Sequence, residues 1–205
     1  TLKVFYPKGS YRPLSKAIKG GVGFYASSYY PSPRRIFPTD QIIMSYEVKF
    51  DDTFQPVLGG KLPGLFLSEG VDKKYMKEAN GGNHNSNRAS VRIMWRKDFD
   101  AEAYVYLPTK QTREYYEIPG IVQNKNFGDS LWRGLLKFKK GIWNSITIKA
   151  KLNTIDKNGL PVANGLLEVQ INDKAQQFDK LIWRVSNNTR IRRRNYTTQR
   201  GERGA

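Results

Sequence analysis

The chain has 205 residues, 39% hydrophobic and 13% aromatic, enough for one sizeable core with aromatic side chains left over to line a binding surface. Its 35 Lys+Arg against 18 Asp+Glu give a formal net charge of +17, which favours a polyanionic partner: nucleic acid, anionic lipid or an acidic polysaccharide. The absence of cysteine excludes disulfides and cysteine-based zinc sites, and no run of about 18 apolar residues is present to cross a membrane as a helix.

In chain order, the first clear signal is alternation. Ile42, Met44, Tyr46, Val48 and Phe50 fall on one side of Gln41 to Phe50, the pattern of a half-buried strand. Next comes Gly59-Gly60-Lys61-Leu62-Pro63-Gly64-Leu65-Phe66. Its glycines permit a close backbone approach, and Pro63 fixes its own φ and pushes Leu62 towards extended geometry. Lys61 therefore sits in a constrained backbone, unlike an ordinary surface lysine. Asn80 to Asn87 reads as a polar loop carrying His84, the only histidine and the one side chain that normally titrates near neutral pH.

The segment from His84 to Pro108 holds the densest functional pattern. Ser90, Arg92, Met94 and Arg96 share one strand face, with Val91, Ile93 and Trp95 on the other; Tyr104 and Tyr106 oppose Ala103, Val105 and Leu107 in the same way. A hairpin centred on Asp98 pairs Arg92 with Tyr104, Ser90 with Tyr106 and Arg96 with Asp100, so that Ser, Arg and two Tyr side chains share one face. A slip of one residue would change every pair. The plain alternative is an exposed tyrosine-rich face with arginine–tyrosine stacking.

Thr109 to Tyr116 suits a short helical or loop excursion. Further strands follow at Ser145 to Leu152, with Ile146, Ile148 and Ala150 alternating with Thr147, Lys149 and Lys151, and at Gly165 to Asn172. Asn158-Gly159, Asn164-Gly165 and Asn172-Asp173 punctuate them as turns. Together these predict an all-β fold, an antiparallel jelly-roll sandwich spanning residues 1–186. Residues 187–205 read as a basic tail, disordered or a divergent terminus: Thr189 to Ala205 carries six arginines and one glutamate, +5 of the +17, so the body is basic without it. The start at Thr1 suits a processed or excised piece, so the missing signal peptide decides nothing about compartment. A monomer is expected, acting outside the cell or on a cell wall, or associated with a virion, with no cofactor.

Aromatic bodies cover sugar faces and a guanidinium grips a carboxylate as a fork. Lys61, His84, Arg92, Tyr104 and Tyr106 also suit one reaction, the β-elimination of a polyuronate. There the C5 proton beside the carboxylate is removed and the bond to the C4 oxygen breaks. Arg92 or Lys61 neutralises the carboxylate, a tyrosine whose charged form is favoured by nearby cations acts as base, and a protonated partner serves the leaving oxygen.

These motifs resemble polysaccharide lyase family 14, the alginate and glucuronan lyases of chloroviruses and marine molluscs. Gly59 to Leu65 is similar to its lysine motif, Ser90 to Trp95 and Ala101 to Pro108 to its two core strands, and Gly141-Ile142-Trp143-Asn144 to the beginning of the strand that follows. Lys3 to Ser10 is similar to the chlorovirus members. The resemblance implies a jelly roll whose concave sheet holds the polyuronate. It also implies that Lys61, His84, Arg92, Tyr104 and Tyr106 are catalytic, with Ser90 lining the groove; Lys149 joins Lys61, Ser90 and Arg92 as a substrate-binding candidate. The chain departs from the family after Trp183-Arg184-Val185, where the expected glycine- and phenylalanine-rich closing strand gives way to arginines, and a missing strand would expose a sheet edge. Two other readings stay open: a non-catalytic polyuronate-binding module, and a nucleic-acid binder driven by the tail. The latter is disfavoured because the aromatics lie with the sandwich and not with the arginines.

Overall fold

Alternating apolar residues become strands in the computed structural model, which describes residues 1–10, 18–26, 40–68, 88–108, 110–124, 126–187, 190–192 and 195–197. In chain order the strands are β1 (Phe24–Ala26), β2 (Gln41–Lys49), β3 (Gly60–Ser68), β4 (Arg88–Trp95), β5 (Asp100–Tyr106), β6 (Asp129–Lys137), β7 (Trp143–Lys151), β8 (Gly165–Ile171), β9 (Lys174–Leu181), β10 (Arg190–Arg192) and β11 (Asn195–Thr197). They form a five-stranded sheet in the order β10-β3-β4-β5-β6, a four-stranded sheet in the order β2-β7-β8-β9 and a β1-β11 pair. Every pairing is antiparallel. The fold is the expected all-β jelly-roll sandwich.

Each sheet turns one set of alternate residues inward, because a half-buried strand can bury only every second side chain. From the four-stranded sheet come Ile42, Met44, Ile146, Ile148, Ala150, Leu167, Val169 and Ile171; from the five-stranded sheet come Leu65, Leu67, Val91, Ile93, Trp95, Ala103, Val105 and Leu131. One end of the core is aromatic. The Phe50 ring lies 5.2–5.5 Å from Phe54, Trp95, Phe99 and Phe138, mostly edge-on or tilted, the arrangement that ring quadrupoles favour.

Side-chain amides close the ends of the sandwich. Asn144 is fully buried; its Nδ2 donates to the carbonyls of Lys139 (2.7 Å) and Ile142 (3.1 Å), and its Oδ1 accepts from the Lys139 amide (2.7 Å). Asn153 accepts from the amides of Trp183 and Arg184, both at 2.9 Å, and so anchors the chain leaving β9. The short excursion expected near Thr109–Tyr116 is a 3-10 turn at Arg113–Glu117.

The segment read as a basic tail, disordered or a divergent terminus, contributes two short strands among its described residues. Arg190–Arg192 pairs antiparallel with Phe66–Ser68 and supplies the edge of the five-stranded sheet, while Asn195–Thr197 pairs with β1. Backbone pairing does not require apolar side chains, and charged residues are the usual composition of an edge strand.

The β3–β4 pair is tightly packed. A Cβ placed on Gly64 would stand 2.0 Å from the Val91 carbonyl oxygen and 2.7 Å from Arg92 Cα, both backbone atoms that cannot swing aside. Gly64→Ala is therefore expected to destabilise the fold by about 1–3 kcal/mol, read as a lowered urea midpoint; an unchanged midpoint would rule out this close approach.

Candidate active site

The site is built on the outer face of the five-stranded sheet, opposite the core. The β4–β5 ladder pairs Ser90 with Tyr106, Arg92 with Tyr104 and Met94 with Glu102, the register read from the sequence. Its connection is a tight turn at Lys97–Phe99, in which Asp98 and Phe99 take φ of 58° and 61° and the Arg96 amide donates to the Asp100 carbonyl at 2.7 Å. On β3, Lys61 pairs with Met94 and Gly64 with Arg92, so three steps of β3 match two of β4. This bulge contains Pro63, which cannot donate to a ladder and so belongs at such an irregularity. Tyr46 reaches across from the other sheet and donates its hydroxyl to the Pro63 carbonyl at 2.9 Å. Burial raises the Tyr46 pKa well above its ordinary value, which keeps that donor protonated.

The bulge aims Lys61 over the site. Its Nζ lies 5.0 Å from the centroid of the Tyr104 ring, within cation–π range. The Tyr104 and Tyr106 rings meet edge to face with centroids 5.6 Å apart, and their hydroxyl oxygens are 3.5 Å from each other. The Gly128 amide donates to the Tyr104 hydroxyl at 3.0 Å. Gly128 has to be glycine for this approach: a Cβ there would lie 2.7 Å from the Tyr106 ring and 2.5 Å from the Val105 carbonyl.

Beside Tyr104 lies a buried ionic cluster. Glu102 is fully buried; it pairs with Arg96 Nη2 at 2.5 Å and Arg133 Nε at 2.6 Å, and accepts the Ser130 hydroxyl at 2.9 Å. Arg133 Nη2 also donates to Ser130 Oγ at 2.8 Å. Tyr104, Gly128 and Ser130 line a partly open pocket together with Arg96 and Arg133.

The family model for Polysaccharide lyase 14 matches residues 1–199. The chain belongs to polysaccharide lyase family 14. It is 29% identical to the marine PL-14 alginate lyase from Aplysia kurodai, with a TM-score of 0.80 over 98% of this chain and 73% of that one. It is 31% identical to an alginate lyase from Chlorella virus, with a TM-score of 0.66 over 79% of this chain and 63% of the other. Exolysin of Paramecium bursaria Chlorella virus 1 is 27% identical over 168 residues, which span 75% of this chain and 25% of that protein. The chain thus covers a quarter of the curated relative it matches.

In this family member Ser90, Arg92, Tyr104 and Tyr106 share one face, as the hairpin register requires, and Lys61 joins them from β3. The face is more enclosed than the open display expected: Ser90, Arg92, Tyr104 and Tyr106 are at most 2% exposed and Lys61 8%. Lys149 does not join them. It projects from the outer face of the other sheet, 3.6 Å from Glu168, because its neighbours Ile148 and Ala150 take the core side of β7. His84 lies outside the described residues. No helix among the described residues is long and apolar enough to cross a membrane.

Sequence reading missed the Glu102 cluster. Glu102 alternates with Tyr104 and Tyr106, so its face was legible; its partner Arg133 was not, because β6 leaves the ladder between Leu131 and Leu136. Removing the buried carboxylate leaves two partly solvated guanidiniums without their partner, so Glu102→Ala is expected to lose about 1–3 kcal/mol of stability, measured by urea denaturation. A loss within the error of the measurement would show that the two guanidiniums are adequately solvated without it.

Proposed function

We propose that this protein is a lyase that cleaves an acidic polyuronate, of the alginate or glucuronan class, by β-elimination. The observation that carries the reading is the tyrosine pair: two hydroxyls 3.5 Å apart, with Lys61 over one ring and Arg92 on the adjoining strand. Family membership and the alginate lyases among its structural relatives support it.

The chemistry has three needs. A uronate C5 proton is acidic only if the adjacent carboxylate is neutralised, since removing the proton otherwise places a second negative charge beside the first. Arg92 and Lys61 supply that neutralisation from fixed positions in a site shielded from water, where charges act more strongly than in bulk solvent. One tyrosine oxygen takes the C5 proton; the electron pair forms the C4=C5 double bond; the C4–O4 bond breaks, and the leaving oxygen takes a proton from the other tyrosine. The products are a new reducing end and an unsaturated uronate. Because the hydroxyls are neighbours, a proton passed between them resets the pair for another turnover. Of the pair, Tyr104 borders the pocket, beside Gly128 and Ser130.

Two measurements test the assignment. Polyglucuronate and alginate are incubated with the folded protein and the ultraviolet absorbance of the unsaturated uronate is followed; no product from either polymer would sink the lyase reading. Tyr106→Phe is expected to slow product formation by about a hundredfold or more, and more than Tyr104→Phe, because Tyr106 stands opposite the Ser90 hydroxyl. The double variant should be no slower than the worse single one, since residues acting as a unit are not additive. Equal losses or the reverse order would reject the tyrosine roles.

The near-complete burial of the tyrosines favours one other reading, a non-catalytic polyuronate-binding module. Retardation in a polyuronate gel with no unsaturated product would select it.

A further inference from the structure

The lyase chemistry uses Lys61, Arg92 and the tyrosine pair and leaves the neighbouring Arg96–Glu102–Arg133–Ser130 cluster without a role. Three features of this cluster go beyond packing. First, a fully buried carboxylate is matched by two guanidiniums and a hydroxyl, although a buried ionic cluster is often no more stable than an apolar replacement. Second, Arg133 reaches it only through an irregular backbone. β6 departs from its ladder with β5 between Leu131 and Leu136. Within that excursion Trp132 adopts φ 59° and Gly134 φ 79°. A tryptophan in the left-handed region is a genuine outlier, of a kind that persists where the surrounding structure enforces it and that gathers at ligand sites. Buried Trp132 turns to the core, and Arg133 is left on the site face with its amide donating to the Gly120 carbonyl at 3.0 Å. Third, Arg133 keeps a side chain 36% exposed while its Nε and Nη2 hold Glu102 and Ser130. A guanidinium carries five N–H donors, so donors remain for a ligand.

We propose that the pocket between Tyr104 and Arg133 is a second carboxylate subsite, which binds the uronate next to the one being cleaved. Arg133 grips that carboxylate, and Glu102 and Ser130 are positioning residues that hold the guanidinium in place. The inference rests on the polyuronate reading above. Its location suits a chain of sugars: Ser130, which Arg133 Nη2 contacts, pairs directly with Tyr104 across the β5–β6 ladder, so the subsite lies on the strand beside the tyrosine. A planar fork also distinguishes a carboxylate from the hydroxymethyl group of a neutral sugar. The subsite would thereby select for consecutive uronates.

Affinity electrophoresis in alginate and polyglucuronate gels tests it, using the whole chain, with Arg133→Met, Arg133→Lys and, as a charge-matched control in the β7–β8 turn, Lys157→Met. Loss of a charge-assisted hydrogen bond should weaken the binding of Arg133→Met about tenfold, with Lys157→Met nearly unchanged. Should Arg133→Met fail to fold because Glu102 is stranded, Arg133→Lys decides: its ammonium can still pair with Glu102 but cannot fork a sugar carboxylate as well, so binding should weaken severalfold. On a polymer whose carboxyl groups have been reduced to alcohols, wild type and Arg133 variants should become indistinguishable. Arg133 variants that bind as well as Lys157→Met, or a deficit that persists in full on the reduced polymer, would overturn the subsite. Product assays on the same samples separate the two ideas. Binding that depends on Arg133 without unsaturated product counts against the lyase and for the subsite; product with binding independent of Arg133 does the reverse.

Discussion

The pairing of β4 with β5 is the constraint on which the rest depends. Side chains alternate across a strand, so a slip of one residue would send Arg92, Tyr104 and Tyr106 into the core and Val91, Ala103 and Val105 out to the site face. The turn guards against this slip. Asp98 and Phe99 both hold positive φ, which Asp tolerates and which at Phe99 is enforced by its ring being held in the aromatic cluster around Phe50. Burial of the apolar set on one face thus places the charged and phenolic set on the other, and one register serves both stability and chemistry.

Two irregularities then adapt the regular ladder to a site. On β3 the bulge at Leu62–Pro63 turns Lys61 over the Tyr104 ring, and the Tyr46 hydroxyl fastens that bulge from the opposite sheet. On β6 the excursion after Leu131 brings Arg133 to Glu102. The first brings a cation to the tyrosine pair and the second brings one to the neighbouring Glu102. Bulges commonly re-aim side chains beside active sites, and close to both irregularities glycine permits tight packing: Gly60 against the Trp95 ring, Gly128 against Tyr106.

The enclosure of the face has an energetic consequence. Arg92 and Glu102 carry charge with almost no contact with water. Such groups are costly unless paired, and when held in place they act with more force than exposed charges.

Much of this was legible in the residues. Alternation in Gln41–Phe50, Ser145–Leu152 and Gly165–Asn172 is local, and local periodicity reports which side of a strand is buried. The hairpin around Asp98 is also local, so the Ser90–Tyr106 and Arg92–Tyr104 pairs followed from counting. Lys149 shows where local information ends: its strand and polar side were readable, but not which sheet the strand would join. The same holds for Arg133, whose placement depends on a break in the alternation, and for Arg190–Arg192, whose composition suggested a tail while its backbone completes a sheet edge. Local residue patterns set the strands, the hairpin register and the chemistry shared by one face. Which strands lie side by side, how deeply that face is enclosed and which distant cations come near it depend on contacts between residues far apart in the chain, which no local pattern encodes.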